Sequence, residues 1–212
     1  WEILSLSNAG VIDWSKSVWT QSIQSYETVF GQDLDGDGSQ GLNLTNLTSI
    51  DTDTYSDVLK KDSNGNFYIL TEAGEYIAIT ESWGGSAQFD YSDQWSGGSF
   101  SSKAIAVEDT TYTNYNGETV NGYVIAIKNI GSYGSDQFTD WELRFTDANG
   151  VIDWNNSIWT QSIKGQESLF GSTVEQADLD GDGAVGISAA ALTAINTDTT
   201  GDLLKKDDSG AL

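Results

Sequence analysis

Short runs of β-branched and aromatic residues alternate along the chain with breaks rich in Gly, Asn, Ser and Asp. Phe67–Leu70, Glu75–Thr80, Ala104–Val107, Gly122–Lys128 and Trp141–Phe145 have strand length and composition, so the pattern predicts antiparallel strands there. Asn64-Gly65, Asn116-Gly117, Asn121-Gly122 and Asn149-Gly150 are expected to supply the turns. Two stretches read differently: Ser22–Phe30 and Ser162–Phe170 place Ile23, Tyr26 and Phe30, or Ile163 and Phe170, on one helical face. The expected class is mainly β with short helices (α+β), each helix leading into an Asp-rich loop.

The chain repeats itself. Trp1-Glu2, Val11-Ile12-Asp13-Trp14, Trp19-Thr20-Gln21-Ser22-Ile23, Glu27 and Phe30-Gly31 recur 140 residues later, from Trp141 to Gly171. Beyond that, Asp33–Gly38, Thr52-Asp53-Thr54, Asp57 and Leu59–Asp62 recur at an offset of 145, as Asp178–Gly183, Thr197-Asp198-Thr199, Asp202 and Leu204–Asp207. The organisation read from this is the latter part of one unit over 1–66, then a nearly complete unit over 67–212. The second comprises middle strands at 67–140 and a duplicated segment at 141–212.

Within the repeats, Asp-x-Asp-x-Asp-Gly is the opening half of an EF-hand-type loop. Calcium takes six to eight oxygens, and alternate carboxylates in a coiled loop converge on it while the glycine permits the turn. Asp33, Asp35 and Asp37, then Asp178, Asp180 and Asp182, take positions one, three and five; Ser39 and Ala184 take position seven, which offers a backbone carbonyl. Position twelve, normally glutamate, is Leu44 or Ala189, so further ligands must come from elsewhere, and Asp53, Asp57, Asp198 and Asp202 are the candidates. Position eight, usually aliphatic, is Val185 in the second loop but Gln40 in the first, which makes the second loop the better built one. The alternative is a pair of hydrophilic turns without an ion.

Composition sharpens this reading. Thirty-two acidic residues stand against nine Lys and Arg, a formal charge of −23. Such a surface argues against nucleic acid and anionic membranes as partners, and a cation would relieve its self-repulsion. No apolar stretch approaches the ~18 residues that a spanning helix needs, so no membrane insertion is expected, and no signal peptide is recognisable at the start. The lack of Cys, His and Met removes disulfides, zinc sites and Cys or His nucleophiles. No carboxylate pair for glycoside hydrolysis is identifiable, and the expectation is a non-enzyme.

The tryptophans divide into two groups. Trp14, Trp19, Trp154 and Trp159, at fixed places beside the strand-to-helix junctions, are expected in the core. Trp83, Tyr91 and Trp95 lie in a glycine-rich, loop-like stretch and are the candidates for stacking on a sugar ring, which keeps a carbohydrate-binding module open as a second reading.

Val11-Ile12-Asp13-Trp14, Trp19-Thr20-Gln21-Ser22, Glu27 with Phe30-Gly31, the loop Asp33–Gly38 and the strand Asn66–Leu70 together resemble the tryptophan-rich C-terminal domain family. That family occurs in large cyanobacterial and proteobacterial secreted or surface proteins. The loops also resemble those of dockerins, although the flanking residues do not follow the dockerin helix pattern. The resemblance implies calcium binding, an extracellular or cell-surface location and a structural, adhesive or assembly role. Its partners would be calcium, copies of itself or neighbouring repeats, and carbohydrate on the second reading.

Overall fold

The computed structural model describes residues 1–20, 22–36, 38–43, 46–187, 192–197 and 203–206. Strands β1 (Glu2–Ile3) and β2 (Val18–Trp19) form a small hairpin, followed by helix α1 (Gln24–Phe30). A four-stranded antiparallel meander follows, β3 (Thr48–Thr52), β4 (Val58–Lys61), β5 (Phe67–Leu70) and β6 (Tyr76–Ala78). A larger five-stranded meander is built from β7 (Tyr91–Trp95), β8 (Gly98–Thr113), β9 (Thr119–Tyr133), β10 (Asp136–Asp147) and β11 (Ile152–Thr160). A single 3₁₀ turn (Glu167–Leu169), helix α2 (Val174–Ala177) and the hairpin β12 (Thr193–Thr197)–β13 (Leu203–Lys206) complete the described elements. The fold is mainly β and antiparallel with two short α-helices, as the pattern predicts.

The turns follow one chemistry. At 53–57, 62–66, 71–75, 114–118 and 147–151 the first residue donates its N–H to the fifth carbonyl and accepts from the fourth N–H, while a side-chain oxygen on the first residue accepts the fifth amide. That geometry puts the fourth residue at positive φ, which favours glycine: Gly65, Gly74, Gly117 and Gly150 occupy it. Ser56, at φ 75, is the exception. By contrast Asn121-Gly122, expected as a turn, runs straight through β9, because the hairpin reverses earlier at Asn114–Glu118.

Two cores result from the alternation of side chains across the large sheet. On one face Ala104, Val107, Tyr123, Ile125, Ile127 and Ile152 meet Leu59, Phe67, Ile69, Ile79, Ala87 and Phe89 of the small sheet and its extension. On the other face Ala106, Val124, Ala126, Trp141, Leu143 and Phe145 meet Ile163, Phe170 and Ala177, with Leu179 and Val185 packed alongside. The segment carrying the second Asp loop is therefore a third layer on the large sheet. Val185 makes that contact where the first loop has Gln40, whose amide donates to the Gly31 carbonyl at 2.8 Å.

The two sheets are also joined by main chain, since Thr80 donates to Gly150 and accepts from Ile152, both at 2.9 Å. β7 covers β8 only over 98–102, and carboxylates take over beyond it. Asp90 accepts the Ala104 amide at 3.1 Å, Asp51 that of Val107 at 2.9 Å and Asp53 that of Asp109 at 3.3 Å. Acidic side chains thus occupy amides that would otherwise form an open sheet edge.

Candidate metal centres in the Asp loops

The segments 22–31 and 162–171, alike in sequence, differ in structure. Gln24–Phe30 is a helix closed by Gly31 at φ 64, whereas the second copy has only the 3₁₀ turn at Glu167–Leu169, then α2. The second expected helix is thus corrected to a shorter turn. The inserted residues before Asp178 supply α2, which buries Ala177 against the sheet.

Both segments nevertheless place a fully buried glutamate under the Asp loop. Glu27 accepts the amides of Leu34, Asp35 and Gly41 at 2.6, 3.0 and 2.8 Å. Glu167 accepts those of Leu179, Asp180 and Gly186 at 3.0, 3.2 and 2.8 Å. A carboxylate accepting several backbone donors is held firmly, and here it folds each loop around itself. Burial nonetheless raises the Glu167 carboxyl above its ordinary range, the amides of Gly186, Asp180 and Leu179 opposing the shift and the nearby Asp180 adding to it.

The loops close on their first aspartates. Asp33 accepts from Gly36 and Gly38 at 2.7 and 2.9 Å, and Asp178 from Gly181, Asp182 and Gly183 at 2.8, 3.0 and 2.8 Å. Carboxylate oxygens of Glu27, Asp33 and Asp35 then lie within 4.8 Å of one another, as do those of Glu167, Asp178 and Asp180. Each triad could hold a hard cation through oxygen ligands. The glutamates are the members that motif reading missed; their signal was the recurrence of Glu27 as Glu167, outside the loop motif itself.

Among the other expected ligands, Asp182 already has a cationic partner. Asp182 faces Lys164, whose Nζ lies 2.6 Å from it and 3.9 Å from Asp180, and this pairing holds the Asp182 carboxyl below its ordinary range. The second loop thus carries its own cation, where the residue aligned in the first copy is Gln24. Ala184 donates its amide to Asp182 at 2.9 Å. Asp37, Asp198 and Asp202, with Leu44 and Ala189, lie outside the described residues.

Asp53 and Asp57 have structural duties. Asp53 accepts the amides of Tyr55 and Asp57, both at 2.8 Å, besides that of Asp109. Asp57 accepts the Glu72 amide at 2.7 Å and the Tyr123 hydroxyl at 2.8 Å. They fasten the small sheet's first turn to the large sheet. With Asp51, Glu108 and Asp109 they form an acidic seam in which burial raises the carboxyls of Asp51, Asp53, Glu108 and Asp109. Burial also pushes up the Tyr123 phenol, followed by its bond to Asp57.

The tryptophans reverse the core expectation. Trp14, Trp19, Trp154 and Trp159 are all exposed, and Trp141 is the indole that enters the core. Trp154 is held at the surface by the Arg144 guanidinium, 4.0 Å from its ring centroid, and by an indole N–H donated to Glu81 at 2.6 Å. Trp83, Tyr91 and Trp95 are exposed as expected, but they are divided between two places. Tyr91 and Trp95 lie on β7, with the Tyr91 ring 6.3 Å from that of Phe100. Trp83 instead joins Trp1 and Trp19 around a cleft of about 490 Å³ whose polar lining includes Glu81 and Gln88.

Compared with family models, curated proteins and solved structures, the chain gives no significant match. Among the described residues no helix is long and apolar enough to cross a membrane.

Proposed function

We propose that this protein is a calcium-binding structural module of a repetitive bacterial surface or matrix protein, with one ion in each Asp loop stabilising the fold. The carrying observation is the duplicated triad: Glu27, Asp33 and Asp35, then Glu167, Asp178 and Asp180, gather oxygens around one point from equivalent segments. Three carboxylates this close repel one another, and a cation between them turns that repulsion into attraction. A formal charge of −23 favours the same ion. An extracellular setting agrees with this composition and with the absence of Cys, because calcium there is plentiful and no disulfide is needed once the ion supplies folding energy.

Thermal unfolding in calcium and in excess chelator tests the proposal. Ion binding to the native state alone stabilises it by about 2.7 kcal/mol at a hundredfold excess over the dissociation constant, so a clear fall in melting temperature is expected on chelation. An unchanged midpoint with no calorimetric binding of calcium would refute it. A second reading, a carbohydrate-binding module, is favoured by the cleft of Trp1, Trp19 and Trp83, where aromatic faces and the polar groups of Glu81 and Gln88 suit a sugar ring. Titration of oligosaccharides against tryptophan emission, with Trp83→Ala as the control, separates the two.

A further inference from the structure

The chain contains the same hairpin twice, in two different surroundings. β10 and β11 are the later copy of β1 and β2: Trp141, Glu142, Leu143, Ile158 and Trp159 align with Trp1, Glu2, Ile3, Val18 and Trp19. The pairing is also shared, with Glu2 opposite Trp19 and Glu142 opposite Trp159. β10 has β9 on its other side over its whole length, and β9 in turn has β8. β1 pairs with β2 and with no further strand among the described residues.

The consequences can be read residue by residue. Trp141 is 3% exposed and its counterpart Trp1 52%; Phe170 is 2% exposed and its counterpart Phe30 52%. Leu143 is fully buried, whereas Ile3 is half-buried. The later copies are covered by Val124 and Ala126 of β9 and Ala106 of β8. Ile23 and Glu27, by contrast, are as buried as Ile163 and Glu167. Trp1 and Phe30 are thus exposed where their copies lie in the core that β8 and β9 build.

The backbone agrees. Trp1 and Thr20 exchange both main-chain hydrogen bonds, at 2.7 and 3.0 Å, so antiparallel alternation turns the N–H and C=O of Glu2 and Leu4 away from β2. Their counterparts, Glu142 and Arg144, lie opposite Ile127 and Ile125 of β9.

We propose that the free edge of β1, with the exposed Trp1 and Phe30, takes a β8–β9 strand pair from another unit, in the register that β9 makes with β10. The occupant is a further copy of the 67–140 segment, carried in tandem ahead of the hairpin. It presents small apolar side chains on one face, because Val124, Ala126 and Ala106 are what allow Trp141 of β10 and Phe170 of the loop layer to close down. The β9 of an identical separate chain is already paired on both edges and is no donor. This inference rests on the assembly half of the proposed function and not on its calcium half.

The test compares the 212-residue chain with one carrying a second copy of residues 67–140 fused before Trp1, each with and without Phe30→Ala, in calcium and in chelator. In the 212-residue chain Phe30→Ala should leave the melting midpoint unchanged and the Leu4 amide should exchange freely. In the tandem chain the same substitution should lower the midpoint by several degrees, and the Leu4 amide should gain at least tenfold protection. Phe30→Ala silent in both chains, with Leu4 exchange unchanged, would overturn the proposal. So would a concentration-dependent dimer of the 212-residue chain that protects Leu4, since a second copy would then fill the edge. Chelation sensitivity is read separately, so calcium binding can fail while the edge pairing stands.

Discussion

Lys164 places its ammonium 2.6 Å from the Asp182 carboxylate, inside the second Asp loop, where the aligned residue of the first copy is the uncharged Gln24. Two loops of the same motif are therefore electrostatically unequal. A tethered cation lowers the loop's own repulsion and competes with a bound one. The loop that its sequence made the better candidate, because Val185 is aliphatic, is the one already partly neutralised.

Lys164→Gln should therefore tighten calcium binding at the second loop by about three- to tenfold, while lowering stability in chelator. Gln24→Lys should weaken the first loop in the same proportion. Isothermal titration of the two variants against the parent checks both, and equal affinities throughout would show that Lys164 does not compete with the ion.

Glu27→Ala should be among the most damaging single changes in the first unit. It leaves the amides of Leu34, Asp35 and Gly41 without their acceptor, and losing buried charge-assisted bonds of this kind costs about 3–5 kcal/mol. Glu27→Gln keeps one acceptor oxygen and should cost about half as much. Denaturant unfolding in chelator measures both independently of any ion.

Ser56→Gly is expected to stabilise the protein by about 0.5–1 kcal/mol. Ser56 holds φ 75 at a turn position where the comparable turns carry glycine, and the relief of left-handed strain exceeds glycine's added entropy in the unfolded chain. The aligned residue in the second copy is Gly201. A thermal shift on the single variant is sufficient.

Gly150→Ala should act in the opposite sense. Gly150 sits at φ 79, and an added Cβ would come 2.4 Å from the Ala78 carbonyl, where the two sheets are joined through Thr80. A loss of at least about 2 kcal/mol is expected in denaturant unfolding.

The acidic seam sets a pH dependence. Burial raises the carboxyls of Asp51, Asp53, Glu108 and Asp109, so the native state holds protons that the unfolded chain has released, and stability falls as pH rises through that window above about 4. In chelator the melting temperature should be higher at pH 5 than at pH 7.5. Asp51→Asn, which keeps an oxygen for the Val107 amide, should flatten the difference.

Strand identity and loop chemistry were legible in the sequence because they are local. Phe67–Leu70 coincides with β5, and Gly122–Lys128 lies within β9. The motif Asp33–Gly38 specified a coiled loop from its alternating carboxylates and glycines alone.

What the sequence could not decide depends on neighbours distant along the chain. Trp1 and Trp141 open the same Trp-Glu motif, yet one is exposed and the other buried, because β9 lies beside only the second. Trp14 and Trp19 are apolar enough for a core, yet they stay exposed, as do their copies Trp154 and Trp159 on β11 of the large sheet. Asp53 and Asp57 carry metal-ligand chemistry, and the amide of Asp109 and the hydroxyl of Tyr123 claim their oxygens. Side-chain type and spacing fixed what each residue could do; burial and hydrogen-bond competition, set only when the sheets stack, decided which of those things it does.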